Sequence, residues 1–111
     1  VSSGAGKRGS ASGGVHYSAS KAGIFGLTKG LAKQLGPHVR GNWIVPGLID
    51  TPLTTGSGLW TNEEINAFTD DVPLGRLGQP EEVAALIDFL CSERASYMTG
   101  AVVDVDGGAT L

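Results

Sequence analysis

Asn42-Trp43-Ile44-Val45-Pro46-Gly47 decides how this chain is to be read. Asn42 to Val45 has the apolar, partly β-branched character of a short buried strand. Pro46-Gly47 ends it, because proline has no amide to give to a ladder and glycine turns freely. On the amino-terminal side, Ile24, Leu27, Leu31 and Leu35 recur at helical spacing, so a helix is predicted from about Tyr17 to Leu35, stopped by Gly36-Pro37. On the carboxyl-terminal side, Pro80 followed by Glu81 and Glu82 opens another helix, carried by Val83, Leu86, Ile87 and Leu90. Ala101 to Val105 then reads as a last strand, closed by Asp106-Gly107-Gly108.

At the start, Val1-Ser2-Ser3 reads as the end of a strand releasing into a Gly/Ser-rich loop from Gly4 to Gly14. Strand stub, helix, strand, helix, strand is the order of an α/β protein with right-handed crossovers and a parallel sheet. Thr51 to Asp71 has no strong period and contains Gly56 and Gly58. It reads as a lid or short helical excursion, with Leu59, Trp60 and Phe68 as a partly apolar pocket cover.

With 111 residues the chain is one domain at most, and 41% hydrophobic residues, 17% charged residues and a net charge of −3 describe an ordinary globular protein. That balance leaves no footprint for nucleic acid. No run approaches the ~18 apolar residues of a membrane span, and no signal peptide is visible, so a cytoplasmic location is expected. Cys91, the single cysteine, sits among apolar helical residues and is expected to pack in the core.

Tyr17-Ser-Ala-Ser-Lys21 carries the chemistry. Residues four apart on a helix share a face one turn apart, so the Lys21 ammonium is expected beside the Tyr17 phenol. A cation so placed stabilises the phenolate and suits the tyrosine to acid/base work.

Tyr17-x-x-x-Lys21, a serine following a strand, and the turn Pro46-Gly47-x-Ile49-x-Thr51 together resemble the hallmarks of the short-chain dehydrogenase/reductase family. Pro73-Leu-Gly-Arg76-Leu-Gly78-Gln-Pro80-Glu-Glu-Val83 and the close from Thr99-Gly100 to Asp106-Gly107-Gly108 resemble its classical branch, as in its 3-oxoacyl-ACP reductase-like members. The resemblance implies the carboxyl-terminal half of a doubly wound parallel-sheet Rossmann fold, residues 1–111 being its catalytic and substrate-side portion. The nucleotide-binding half is expected upstream of Val1. It also implies hydride transfer between NAD or NADP and a small-molecule carbonyl or secondary alcohol, with no metal, in a homodimer or homotetramer. Tyr17 would be the proton donor and acceptor, Lys21 would support it and hold the nicotinamide ribose, and Ser3 would stabilise the substrate oxygen. Thr51 and the backbone near Ile49 would hold the nicotinamide carboxamide, with Pro46 and Gly47 shaping the turn.

Several features stand beside that reading. Ser2 competes with Ser3, whose spacing to Tyr17 is one residue longer than the commonest family spacing. Gly41 stands where the family usually has a β-branched residue, and the asparagine of the family's usual catalytic set would lie upstream. Gly4-Ala-Gly6-Lys-Arg-Gly9 matches Gly-x-Gly-x-x-Gly, but the Ser10-to-Gly14 run after it reads as loop rather than the helix a pyrophosphate turn requires. Thr51 could instead cap a helix ahead of Pro52, and His16 is expected on the surface or substrate rim. An alternative role is a catalytically inactive structural or oligomerisation unit. A serine hydrolase using Ser3, His16 and Asp50 would lack a nucleophile elbow.

Overall fold

The computed structural model describes residues 1–11 and 13–111. Strand β1 spans Trp43–Pro46 and strand β2 spans Val102–Val105; they run parallel, with Trp43 opposite Val102 and Pro46 opposite Val105. Trp43 and Gly47 donate amides to Ala101 and Val105 on the β2 side. Carbonyls of intervening residues point to the opposite edge of a strand. There the Ile44 carbonyl accepts the Ser2 amide at 2.8 Å. The expected strand stub is thus a single hydrogen bond beside β1, after which the chain turns away.

Helices flank this sheet, and the side chains of β1 show how. Trp43, Ile44 and Val45 are all buried, as in a strand covered on both faces. Ile44 packs with Leu90 and Ala95, surrounded by Val83, Leu86, Phe89, Met98 and Val103. That is the face of helix α4, Pro80–Cys91. Trp43 points the other way, its ring 5.1 Å from that of Phe25 in the long helix α2, Gly14–Leu35. Helix, sheet, helix is the α/β layering expected from the element order.

Two expectations need correction. The segment read as a loop contains a short helix, α1, Gly4–Arg8, capped by Ser3, whose hydroxyl accepts the Ala5 amide at 3.3 Å. Tertiary contacts stabilise it against its glycines. Gly6 lies so close to α2 that an added Cβ would be 2.8 Å from the Lys21 carbonyl carbon. Lys7 pairs with Asp104 at 2.6 Å, and Arg8 donates to the Ala109 carbonyl at 2.7 Å.

Cys91, expected in the core, is exposed. The buried stripe of α4 follows Val83, Leu86 and Leu90, and Cys91 lies about 100° round the helix from Leu90. On α2, Leu27, Leu31 and Leu35 also face outward. Thr28 and Ala32 instead face Gly41, where a Cβ would meet their atoms at ordinary contact distances of 3.7 to 3.8 Å. The glycine that departs from the family pattern therefore lies outside the strand. Its amide is taken by the Thr99 hydroxyl and its carbonyl by the Gly100 amide.

The segment after β1 holds more order than its sequence shows. A π-helical turn, Pro52–Gly56, leads to helix α3, Asn62–Asp71. Thr61 caps α3: its hydroxyl accepts the Glu64 amide while Glu64 reaches back to the Thr61 amide, a reciprocal capping box. Among the described residues no helix is long and apolar enough to cross a membrane.

Candidate active site

A cavity of about 580 Å³ opens where α1, the start of α2, the end of β1 and the segment after it converge. Ser3, Tyr17, Pro46, Gly47, Ile49 and Thr51 all line it. The structure therefore brings together six of the seven candidate residues from stretches far apart in the chain. Lys21, the seventh, stands behind Tyr17, its ammonium 5.6 Å from the centre of the phenol ring. This is the predicted one-turn pairing, with the cation against the aromatic face.

Two adjacent serines take different places. Ser2 is buried, and its hydroxyl donates to the Lys21 backbone carbonyl at 2.8 Å. Ser3 lines the cavity, and its oxygen accepts the Ala5 amide, which leaves its hydroxyl proton to be donated elsewhere. Tyr17 is 39% exposed, and neither its hydroxyl nor the Lys21 ammonium has a hydrogen-bond partner among the described residues. An open phenol, an open hydroxyl and an unpaired ammonium are the equipment for holding a polar ligand atom and moving a proton to it.

The floor is set by a close backbone crossing. A Cβ on Gly47 would be 2.8 Å from the Asp106 Cα, so only glycine lets the end of β1 pass the end of β2 at this distance. Asp106 lines the cavity as well. Burial on its own would raise its carboxyl, but hydrogen bonds from the Thr110 hydroxyl and the Gly108 and Thr110 amides, with the charge of Lys7, hold it below its ordinary 3.8. The Gly108 bond, at 2.9 Å, is an Asx-type turn closed by the side chain, a signal legible in Asp-Gly-Gly.

Thr51 sits at the first position before the π-helical turn without making a side-chain cap to the backbone. Its hydroxyl lies 3.3 Å from that of buried Thr54. Ile49 is held by a parallel bridge to Gly78, whose amide donates to Leu48 and whose carbonyl accepts from Asp50. His16 lines the cavity at its exposed rim. Asp50 accepts from the Thr55 hydroxyl and makes no bond to His16, so the hydrolase arrangement is not assembled. Leu59, Trp60 and Phe68 form part of the wall, as their apolar character predicted.

Sequence reasoning passed over Arg8, Thr54 and Thr110, which also line the cavity. A second cavity of about 490 Å³ shares Leu48, Ile49 and Asp106 with the first but contains neither Ser3 nor Tyr17.

Known proteins match this chain along most of its length. The family model described as enoyl-(acyl carrier protein) reductase matches residues 1–110. The chain is 48% identical over 95 residues to the 3-oxoacyl-[acyl-carrier-protein] reductase of Aquifex aeolicus, a match covering 85% of this chain and 37% of that protein. It is 43% identical to the (3R)-3-hydroxyacyl-CoA dehydrogenase of Homo sapiens, covering 85% and 35%. The crystal structure of a 3-oxoacyl-[acyl-carrier protein] reductase from Brucella melitensis superposes with a TM-score of 0.89 at 44% identity, covering 96% of this chain and 39% of that one. The chain thus spans about two fifths of the length of such relatives. On its α/β fold and the match along its length, it belongs to the short-chain dehydrogenase/reductase family.

Proposed function

We propose that this chain supplies the proton-transfer and substrate-side part of an NAD(P)-dependent oxidoreductase acting on a carbonyl or secondary alcohol. The observation that carries the reading is the Lys21 ammonium against the ring of Tyr17, in a cavity that Ser3 and Thr51 also line. Two of the similar proteins are named for a 3-oxoacyl and a 3-hydroxyacyl compound, the two oxidation states such a reaction connects.

A bound nicotinamide supplies or accepts the hydride. Everything else falls to the chain. In reduction, the Ser3 hydroxyl donates to the substrate oxygen and stabilises the charge that grows on it. Tyr17 gives that oxygen its proton, completing the alcohol. Lys21 stabilises the phenolate left behind and attracts the hydroxyls of the nicotinamide ribose. The Thr51 hydroxyl and the backbone at Ile49 are suited to a carboxamide, because they are polar groups at the cavity wall beside the glycine turn. The polar groups left open at Tyr17 and Lys21 are what a ribose and a carbonyl oxygen require, so the residues fit a nicotinamide.

The test is Tyr17→Phe in the complete protein that contains this chain. Turnover of a ketone panel with NADH and NADPH should fall by at least a hundredfold, with cofactor binding kept within about threefold. Turnover close to wild type would remove Tyr17 as the proton donor.

A further inference from the structure

We propose that Arg8 recognises a carboxylate on the substrate, so that the enzyme takes keto or hydroxy acids whose apolar body lies along Leu59, Trp60 and Phe68. This rests on the oxidoreductase reading of the same cavity.

Arg8 is the only lysine or arginine among the described residues that line the cavity. Lys7 is neutralised by both carboxylate oxygens of Asp104 at 2.6 Å, and Arg76 by Glu82. Arg8 lines the cavity, yet among the described residues it has no acidic partner; its one hydrogen bond goes to the Ala109 carbonyl. That bond at 2.7 Å uses one end of the guanidinium and fixes its direction, leaving the other N–H donors to meet a ligand. A planar cation held at one end is suited to bidentate capture of a carboxylate.

The rest of the wall agrees. Among the described lining residues Asp106 is the only carboxylate, and Gly108 and Thr110 already occupy its oxygens. Leu53 and Leu59 are about two-thirds exposed at the cavity, and Trp60 and Phe68 are half-buried there. These apolar groups gain burial when a substrate with a hydrocarbon or aryl arm covers them. A ligand with a reacting carbonyl at Tyr17, an acid at Arg8 and an apolar arm along Leu59, Trp60 and Phe68 uses each of these groups.

The test compares 4-oxo-4-phenylbutanoate with its methyl ester, which share the carbonyl and the aryl arm and differ in charge. The complete protein should prefer the acid in kcat/KM by roughly tenfold or more, the worth of one charged hydrogen bond. In Arg8→Gln that ratio should collapse toward one, and in Arg8→Lys part of it should remain. A ratio unchanged in Arg8→Gln would overturn the proposal, as would no preference in the wild type. Should Arg8→Gln not fold, the wild-type ratio measured against salt serves: it should fall as ionic strength rises, and a salt-independent ratio counts against the proposal. Calorimetric binding of the acid is measured alongside. If neither ketone is reduced but the acid binds at least tenfold more tightly to wild type than to Arg8→Gln, the Arg8 site stands and the dehydrogenase reading fails. If binding is equal in the two proteins, the Arg8 site fails on its own.

Discussion

The buried Ser2 hydroxyl donates to the backbone carbonyl of Lys21 at 2.8 Å, joining the segment beside β1 to the first half of the helix that carries Tyr17. Ser3, one residue further, is thereby held in a fixed relation to Tyr17. Replacing Ser2 with alanine removes one hydrogen bond and leaves a helical carbonyl with one partner fewer. A loss of about 1 kcal/mol of stability is expected in urea unfolding, with kcat falling more than KM rises. An unchanged unfolding midpoint together with unchanged kcat would show that the bond has no positioning role.

Gly6→Ala sets two effects against each other. Alanine favours a helix over glycine by about 1 kcal/mol. Its Cβ would stand 2.8 Å from the Lys21 carbonyl carbon, and backbone cannot swing aside as a side-chain tip can. Overpacking of about 1–3 kcal/mol wins. Thermal unfolding should show a lower Tm, and a higher one would mean that α1 has room to slide on α2.

Lys21→Ala takes away the cation beside the phenol and the ammonium proposed to meet the ribose. Both kcat and cofactor affinity should therefore fall, in contrast to Tyr17→Phe, where binding survives. Isothermal titration with NADH and NADPH separates the cases, because an affinity equal to wild type would confine Lys21 to proton transfer.

Ile44 lies between α4 and the sheet in a buried cluster with Leu90 and Ala95. Truncation to alanine leaves a cavity walled by Leu90 and Ala95, at a cost of about 2–5 kcal/mol. Chemical denaturation of Ile44→Ala checks the figure. Less than 1 kcal/mol would mean that the cluster relaxes to fill the space.

Acid should loosen the start of α4. Hydrogen bonds from Arg76 and from the Gln79 amide lower the Glu82 carboxyl from 4.5 to about 2. A carboxyl lowered on folding stabilises the fold above its unfolded value and loses that contribution as pH falls through its folded one. The difference in Tm between wild type and Glu82→Gln should thus be full above pH 4.5 and vanish towards about pH 2. A difference constant with pH would show that the ionised carboxylate is not what holds Arg76 and Gln79.

Much of this architecture is legible in the sequence where the signal is local. β1 shows itself because apolar residues stop at Pro46-Gly47, and α4 because Pro80, two acids and an apolar stripe follow one another. Tyr17 and Lys21 meet because four residues make about one helical turn. What stayed hidden depends on partners distant in the chain. α1 looks like loop until Lys7 finds Asp104 and Arg8 finds Ala109. The spacing of the α2 leucines marks a helix but not its inner side, where Thr28 and Ala32 rather than Leu27 and Leu31 face Gly41. Ser2 and Ser3 are alike as letters, and only the turn into α1 sends one inward to Lys21 and the other to the cavity.

Trp43 and Trp60 have separate optical consequences. Trp43 is 2% exposed and lies against Phe25, with the Lys29 ammonium 5.9 Å from its ring, while Trp60 stands half-buried at the cavity wall. Within this chain the two tryptophans give intrinsic fluorescence an interior emitter expected to follow unfolding and a wall emitter expected to follow occupancy of the cavity. Trp60→Phe isolates the first signal and Trp43→Phe the second, giving folding and ligand binding each a built-in label.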